Sequence, residues 1–159
     1  MQFYQQLQQA TALDRDFLLS SPIIADAIAG KIDLATYIAF LNQAYHHVRH
    51  TVPLLMLAGS QLRPQQQWLQ PALANYIGEE MGHEKWILND LAACAVDRDT
   101  FEQAAAPFDS EIMVAYLYDT VQRTNPVGIF GMVQVLEGTS ASLAPSVADI
   151  GQNRLGLPD

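Results

Sequence analysis

The segment Leu73-Ala-Asn-Tyr-Ile-Gly-Glu-Glu-Met-Gly-His-Glu-Lys-Trp-Ile-Leu-Asn-Asp-Leu91 carries a helical period with an anomaly inside it. On a wheel of 3.6 residues per turn, Leu73, Ile77, Ile87 and Leu91 form one apolar stripe. Glu80 and Glu84 fall in the middle of that stripe. His83 follows Glu80 at i+3, which makes the two side chains neighbours on adjoining turns. Glu79 and His83 form an i, i+4 pair on the flank. A bare carboxylate in a core is costly, so it must be paired, protonated or bound to a metal. Arg49 and Lys85 are the basic partners that a plain ion-pair reading would use for Glu80 and Glu84.

Outward from this segment the chain reads as helix from end to end. Gln, Ala and Leu are abundant helix formers, and no window alternates apolar and polar residues as a half-buried strand would. The pattern predicts a first helix over about 2–19, stopped by Ser20-Ser21-Pro22. A short helix follows to Ala29, with Gly30 as its C-terminal stop. Asp33 is a good N-cap for the next helix, which runs to about Leu57 and is kinked at Pro53. Its apolar positions Leu34, Ile38, Leu41, Tyr45, Val48, Val52 and Leu55 share one face. The Glu80 helix is expected over about 66–95, and Asp97 to Gln103 as a short helical turn or loop. A helix over 110–124 is closed by Asn125-Pro126, and a last one begins near Val127 and is disturbed at Pro145. The tail 151–159 reads as a loop.

Two further polar features stand out. Between Thr124 and Ala148 the one charged side chain is Glu137, on the face of Phe130, Val133, Ala141 and Ala144. Small neighbours, Gly138, Ser140 and Ala141, leave room around it. Three of the four histidines lie in Tyr45-His-His-Val-Arg-His50. On the wheel His46, His47 and His50 project away from the Leu34–Leu55 stripe, onto a face that also carries Phe40, Leu54 and Leu57 and so need not be solvent-facing. Their spacing suits either a shared metal or a hydrogen-bonded surface cluster. Glu-x-x-His on one core-facing helix plus an isolated Glu on another is how helical bundles build non-haem di-iron centres. Carboxylate oxygen with imidazole suits iron or manganese.

Composition narrows the partners. Seventeen acids against eight bases give a net charge of −9, which disfavours nucleic acid and anionic membranes alike. One cysteine cannot build a disulfide framework. No basic region followed by an apolar run opens the chain, and its longest apolar stretches are far too short to span a bilayer. The expectation is one soluble, cytoplasmic helical domain over 1–159.

The motifs Tyr45-His-His-Val-Arg-His50, Gly78-Glu-Glu-Met-Gly-His-Glu-Lys-Trp86 and Val135-Leu-Glu-Gly138 resemble those of the haem-oxygenase-like helical superfamily, which includes TenA thiaminases, PqqC and the CADD-like proteins. The resemblance spans about Phe3 to Leu143 and is closest to the haem-oxygenase-like di-iron oxidases. It implies an all-α bundle of six to seven helices. It also implies Glu80, His83 and Glu137 as metal ligands, with His47, His50, Arg49 and Glu84 as second-shell or substrate-facing groups. The implied cofactor is iron, two ions in a complete chain, and the implied partners are dioxygen and a small-molecule substrate. Members act on fatty acids, amino acids or their own side chains. Arg49 suits a substrate carboxylate, or else an ion pair with Glu79 or Glu84.

The family's third ligand set, a His-x-x-x-Asp-x-x-His run on a final helix, has no counterpart, because no histidine follows His83. Either the chain is shortened at its C-terminus or its metal site is incomplete by nature. The isolation of Glu137 favours the first. A bundle lacking its last helix would expose apolar interior, so a homodimer is expected. Two rival functions remain open. One is a non-catalytic helical binding or interaction protein, tolerant of changes at Glu80 and Glu137. The other is a metal-free TenA- or PqqC-like enzyme. It is weakened because Cys94 sits away from the usual place of the nucleophile and the chain holds few basic residues. Haem oxygenase itself needs a proximal histidine near the N-terminus, and none precedes His46.

Overall fold

Helix is the only regular structure among residues 2–141, which are the residues the computed structural model describes. The expected all-α architecture is met, but three of the long helices are each divided in two. The first is split at Thr11 into α1 (Phe3–Ala10) and α2 (Ala12–Leu19). Thr11 leaves the helix at φ −101°, ψ 7°, and its hydroxyl donates back to the Leu7 carbonyl oxygen at 2.9 Å. That local bond competes with the helical ladder. α3 (Pro22–Ile28) opens with proline at its first position and ends as expected. Gly30 adopts φ 64°, and the N–H groups of Gly30 and Lys31 donate to the carbonyls of Ala27 and Asp26. This is the Schellman closure that a glycine permits at C′.

The second division replaces the kink expected at Pro53. α4 (Leu34–Val48) stops five residues before the proline, and α5 (Thr51–Ser60) starts at its own N-cap, His50. Proline has no N–H for the Arg49 carbonyl, and its ring crowds that turn, so the helix restarts with Pro53 inside its first turn. The third division falls in the decisive segment. A 3₁₀ turn, Pro64–Leu69, leads into α6 (Gln70–Glu80), and α7 (His83–Ala93) follows. Between them Gly82 holds φ 97°, ψ 2°, and Met81 is extended. The single helix expected over 66–95 is thus broken between its two candidate ligands.

α8 (Arg98–Glu102) follows Asp97, and α9 (Phe108–Asp119) continues into a π-helical turn, Thr120–Thr124. The Asn125 N–H closes that turn on the Thr120 carbonyl at 2.8 Å, and the Asn125 side chain accepts from the Val127 N–H. A 3₁₀ turn over Pro126–Gly128, α10 (Ile129–Met132) and a second π-helical turn, Val133–Glu137, complete the described elements. The expected disturbance at Pro145 and the tail 151–159 lie outside the described residues.

The chain forms two compact units: Ala35–Ile129, and the described residues of Met1–Leu34 with Phe130–Asp159. In the Ala35–Ile129 unit, Leu41 and Tyr45 of α4 meet Leu88 and Leu91 of α7, flanked by Tyr37, Ile38, Ile87, Val96 and Phe101. α5 packs on α6 and against the Thr120–Thr124 turn, where Leu54, Leu55 and Val121 are fully buried. The predicted stripes are therefore real: Leu73 and Leu91 are buried, and Ile77 and Ile87 are half-buried. In the other unit α1 lies on α2, and α2 packs on the Val133–Glu137 turn. No residue of α1, α2 or α3 is buried.

Candidate metal centre

The break at Gly82 sets the site's geometry. Glu80 is the last residue of α6 and His83 the first of α7. Glycine alone takes φ near 97° at little cost, and this turn brings the two side chains back together. His83 Nδ1 stands 2.9 Å from Glu80 Oε2. The expected pairing is present, but a turn makes it rather than a helical step. Glu80 is largely buried, with 11 % of its side chain exposed against 30 % for His83. Its partner is His83, and neither Arg49 nor Lys85 pairs with it among the described residues. The Trp86 indole lies over the imidazole, with ring centroids 4.2 Å apart and planes tilted by 31°. Glu84 is half-buried in the first turn of α7, and Glu79 is exposed.

A metal ion would fit this pair. Donors bonded to one ion at about 2.1 Å and at right angles stand roughly 3 Å apart, which is the separation seen here. Carboxylate oxygen and imidazole nitrogen are also a suitable donor set for iron or manganese. Among the described residues no three His, Cys, Asp or Glu side chains gather into one metal-ligating group. Glu137 belongs to the other unit, at the end of the Val133–Glu137 π turn. It is half-buried, and burial pushes its carboxyl above the ordinary glutamate range.

The face of the histidine cluster, which on the wheel also carries Phe40, Leu54 and Leu57, is partly enclosed. His46 is buried, 3 % exposed, with its ring against those of Tyr45 and Phe101. Phe101, arriving from α8, meets the imidazole on the face opposite the predicted apolar stripe. Burial lowers the His46 imidazole below its usual value, aided by the charge of Arg49 and then His50, with Glu111 opposing. His47 Nδ1 donates to the Gln43 carbonyl at 3.1 Å, and burial lowers its imidazole too. His50 Nδ1 lies 3.1 Å from the Tyr118 hydroxyl. It is lowered by burial and by Arg49. His47 and His50 are thus engaged with different partners. Arg49 extends over the Tyr45 ring, 5.4 Å from its centroid, and pairs with neither Glu79 nor Glu84.

Cys94 is buried beyond the end of α7. Burial raises its thiol, and the Asp90 charge adds to the shift, so it is a poor nucleophile. Nearby, burial pushes the Tyr37 phenol up to about 12, with Asp90 and then Cys94 contributing. Sequence reading overlooked Trp86 as part of the site. Its signal was the His83–Trp86 spacing of three, which stacks side chains on one helical face.

Residues 38–159 match a protein family described as iron-containing redox enzymes. The match takes in Glu80, His83, Glu137 and the whole histidine cluster. No curated protein and no solved structure matches the chain. No helix of the described residues is long and apolar enough to cross a membrane.

Proposed function

The chain belongs to this family of iron-containing redox enzymes, and from that membership we propose that it is a non-haem iron oxidase or oxygenase acting on a small molecule. Glu80, His83 and Glu137 are its metal ligands, and two iron ions are the expected complement. The observation that carries the reading is the Glu80–His83 pair. A mostly buried carboxylate and an imidazole nitrogen, 2.9 Å apart, already stand at the separation of two donors on one ion.

Iron, when bound, supplies the activation of dioxygen that amino-acid side chains cannot perform. The chain's own groups do the rest. Glu80 and His83 are held in register by the Gly82 turn, so little ordering is left for binding. Burial raises the Glu137 carboxyl above the ordinary glutamate range, so a cation that binds the carboxylate competes with its proton, and affinity rises with pH across that titration. Its place at the end of a π-helical turn supports a functional role, since such turns occur frequently at functional sites. Arg49 is exposed and free of a carboxylate partner among the described residues, which suits an anionic substrate group. Assembly as a homodimer of single-domain subunits in the cytoplasm belongs to the same proposal.

Thermal melts with and without ferrous iron under anaerobic conditions, together with dioxygen consumption, test the reading. Wild type should gain melting temperature with iron, because a ligand bound to the native state stabilises it. His83→Ala and Glu137→Ala should lose both the gain and the iron-dependent dioxygen uptake. Arg98→Ala, which removes an exposed pair with Glu102, should keep both. An iron-induced rise that survives in Glu137→Ala removes Glu137 from the ligand set. No rise in wild type favours the interaction-protein alternative.

A further inference from the structure

We propose that Trp86 is the positioning residue of His83, and that its indole holds the imidazole in the orientation that a metal ion needs. The inference rests on the metal-site reading of Glu80 and His83. Two contacts define the His83 ring. Glu80 Oε2 meets Nδ1 at one edge, at 2.9 Å, and the Trp86 ring covers one face, with centroids 4.2 Å apart.

The ring is tethered at Cβ, so its pose is set by the two side-chain torsions χ1 and χ2. The Glu80 contact restrains where Nδ1 points. The Trp86 face restrains rotation of the ring plane about the Cβ–Cγ bond. Trp86 is 63 % exposed, so it stands at the rim of the site with its ring against the imidazole rather than in the core. α7 makes this possible, because His83 and Trp86 are its first and fourth residues and so lie on one face. A ligand histidine is usually oriented by a second group that makes no bond to the metal. Here Trp86 fills that place by stacking.

The test uses Mn²⁺ as the probe and the emission of Trp86 as a readout independent of turnover. Trp68 is the other tryptophan, and Trp68→Phe leaves Trp86 as the sole emitter. In that background, His83→Leu should brighten the emission by removing the contacting imidazole. Mn²⁺ should quench it saturably, and Glu80→Ala should abolish that quenching. Free Mn²⁺ measured by electron paramagnetic resonance should show affinity falling about two- to tenfold in Trp86→Leu, the range of one aromatic contact. Trp86→Phe, which keeps a face over the imidazole, should restore it to within about twofold. Because Trp86 is mostly exposed, neither variant should unfold, and circular dichroism melts check this. Trp86→Leu binding Mn²⁺ as tightly as wild type overturns the positioning role alone, as does emission indifferent to His83→Leu. A wild-type protein that binds no Mn²⁺ overturns the metal-site reading and the positioning role with it.

Discussion

Substituting alanine at two nearby glycines should shift stability in opposite directions. Gly78 lies within α6 on an exposed face, and a Cβ built there meets nothing within 4 Å. Gly78→Ala should therefore stabilise the protein by about 0.5–1 kcal/mol, by reducing the entropy lost on folding. Gly82 also has open space around a built Cβ, so sterics with neighbours contribute nothing there. Its φ of 97° does. An L-residue in the left-handed region costs about 1–2 kcal/mol. For a chain of this size each kcal/mol moves the melting temperature by roughly 2–4 °C. Gly82→Ala should thus melt about 2–8 °C below wild type and Gly78→Ala about 1–4 °C above it, both without metal. Differential scanning calorimetry reads the two directly. A Gly82→Ala protein as stable as Gly78→Ala would mean that α6 runs on into α7. The Glu80–His83 contact would then be an ordinary helical step, and the turn-built site would be refuted. Gly82→Asn gives an intermediate check, since asparagine tolerates this backbone better than alanine.

The remaining expectations concern burial and protonation. Burial raises the Glu137 carboxyl above its unfolded value of 4.5, so this group stabilises the fold at low pH and that contribution is lost as pH rises through the folded value. Glu137→Gln should melt above metal-free wild type at pH 7, and the gap should close below about pH 4.5. Equal melting temperatures at pH 7 would contradict this. His46 behaves oppositely. Its folded value lies below the ordinary 6.5, so its neutral form contributes stability above about pH 6.5 that falls away as pH drops below it. His46→Phe should therefore narrow the loss of urea midpoint between pH 7.5 and 5.5, and an unchanged loss would place the acid sensitivity elsewhere. A Cβ at Gly128 would stand 2.8 Å from Thr120 Cγ2. Gly128→Ala should cost about 1–3 kcal/mol by overpacking, and Thr120→Ser, which deletes that methyl, should recover most of it in the double variant. Failure of that rescue would show that the strain is not at this contact.

Local chemistry alone determined where helices exist and where several of them end. Pro22, Gly30 and Asn125-Pro126 punctuate the chain as read, because proline, αL glycine and an Asx cap act within a few residues and need no tertiary partner. The pairing of Glu80 with His83 was likewise legible, since residues three apart meet in a helix and, here, in a tight turn. What the wheel could not supply is continuity. It assumes one unbroken helix through Gly82 and through Arg49–His50. The structure interrupts both, at a glycine with φ 97° and ahead of Pro53. A break rotates everything beyond it relative to what precedes it. Inside the unbroken α4 the wheel fails for another reason: His46, on the face away from the predicted stripe, is buried where Phe101 of α8 meets it, while Leu34, at the helix's first residue, is 41 % exposed. Phe101 lies 55 residues further along the chain than His46, and no local pattern announces its arrival. The same holds for Tyr118 beside His50. Periodicity specifies which side of a helix is apolar, but only the packing of distant elements decides which polar groups are enclosed with it.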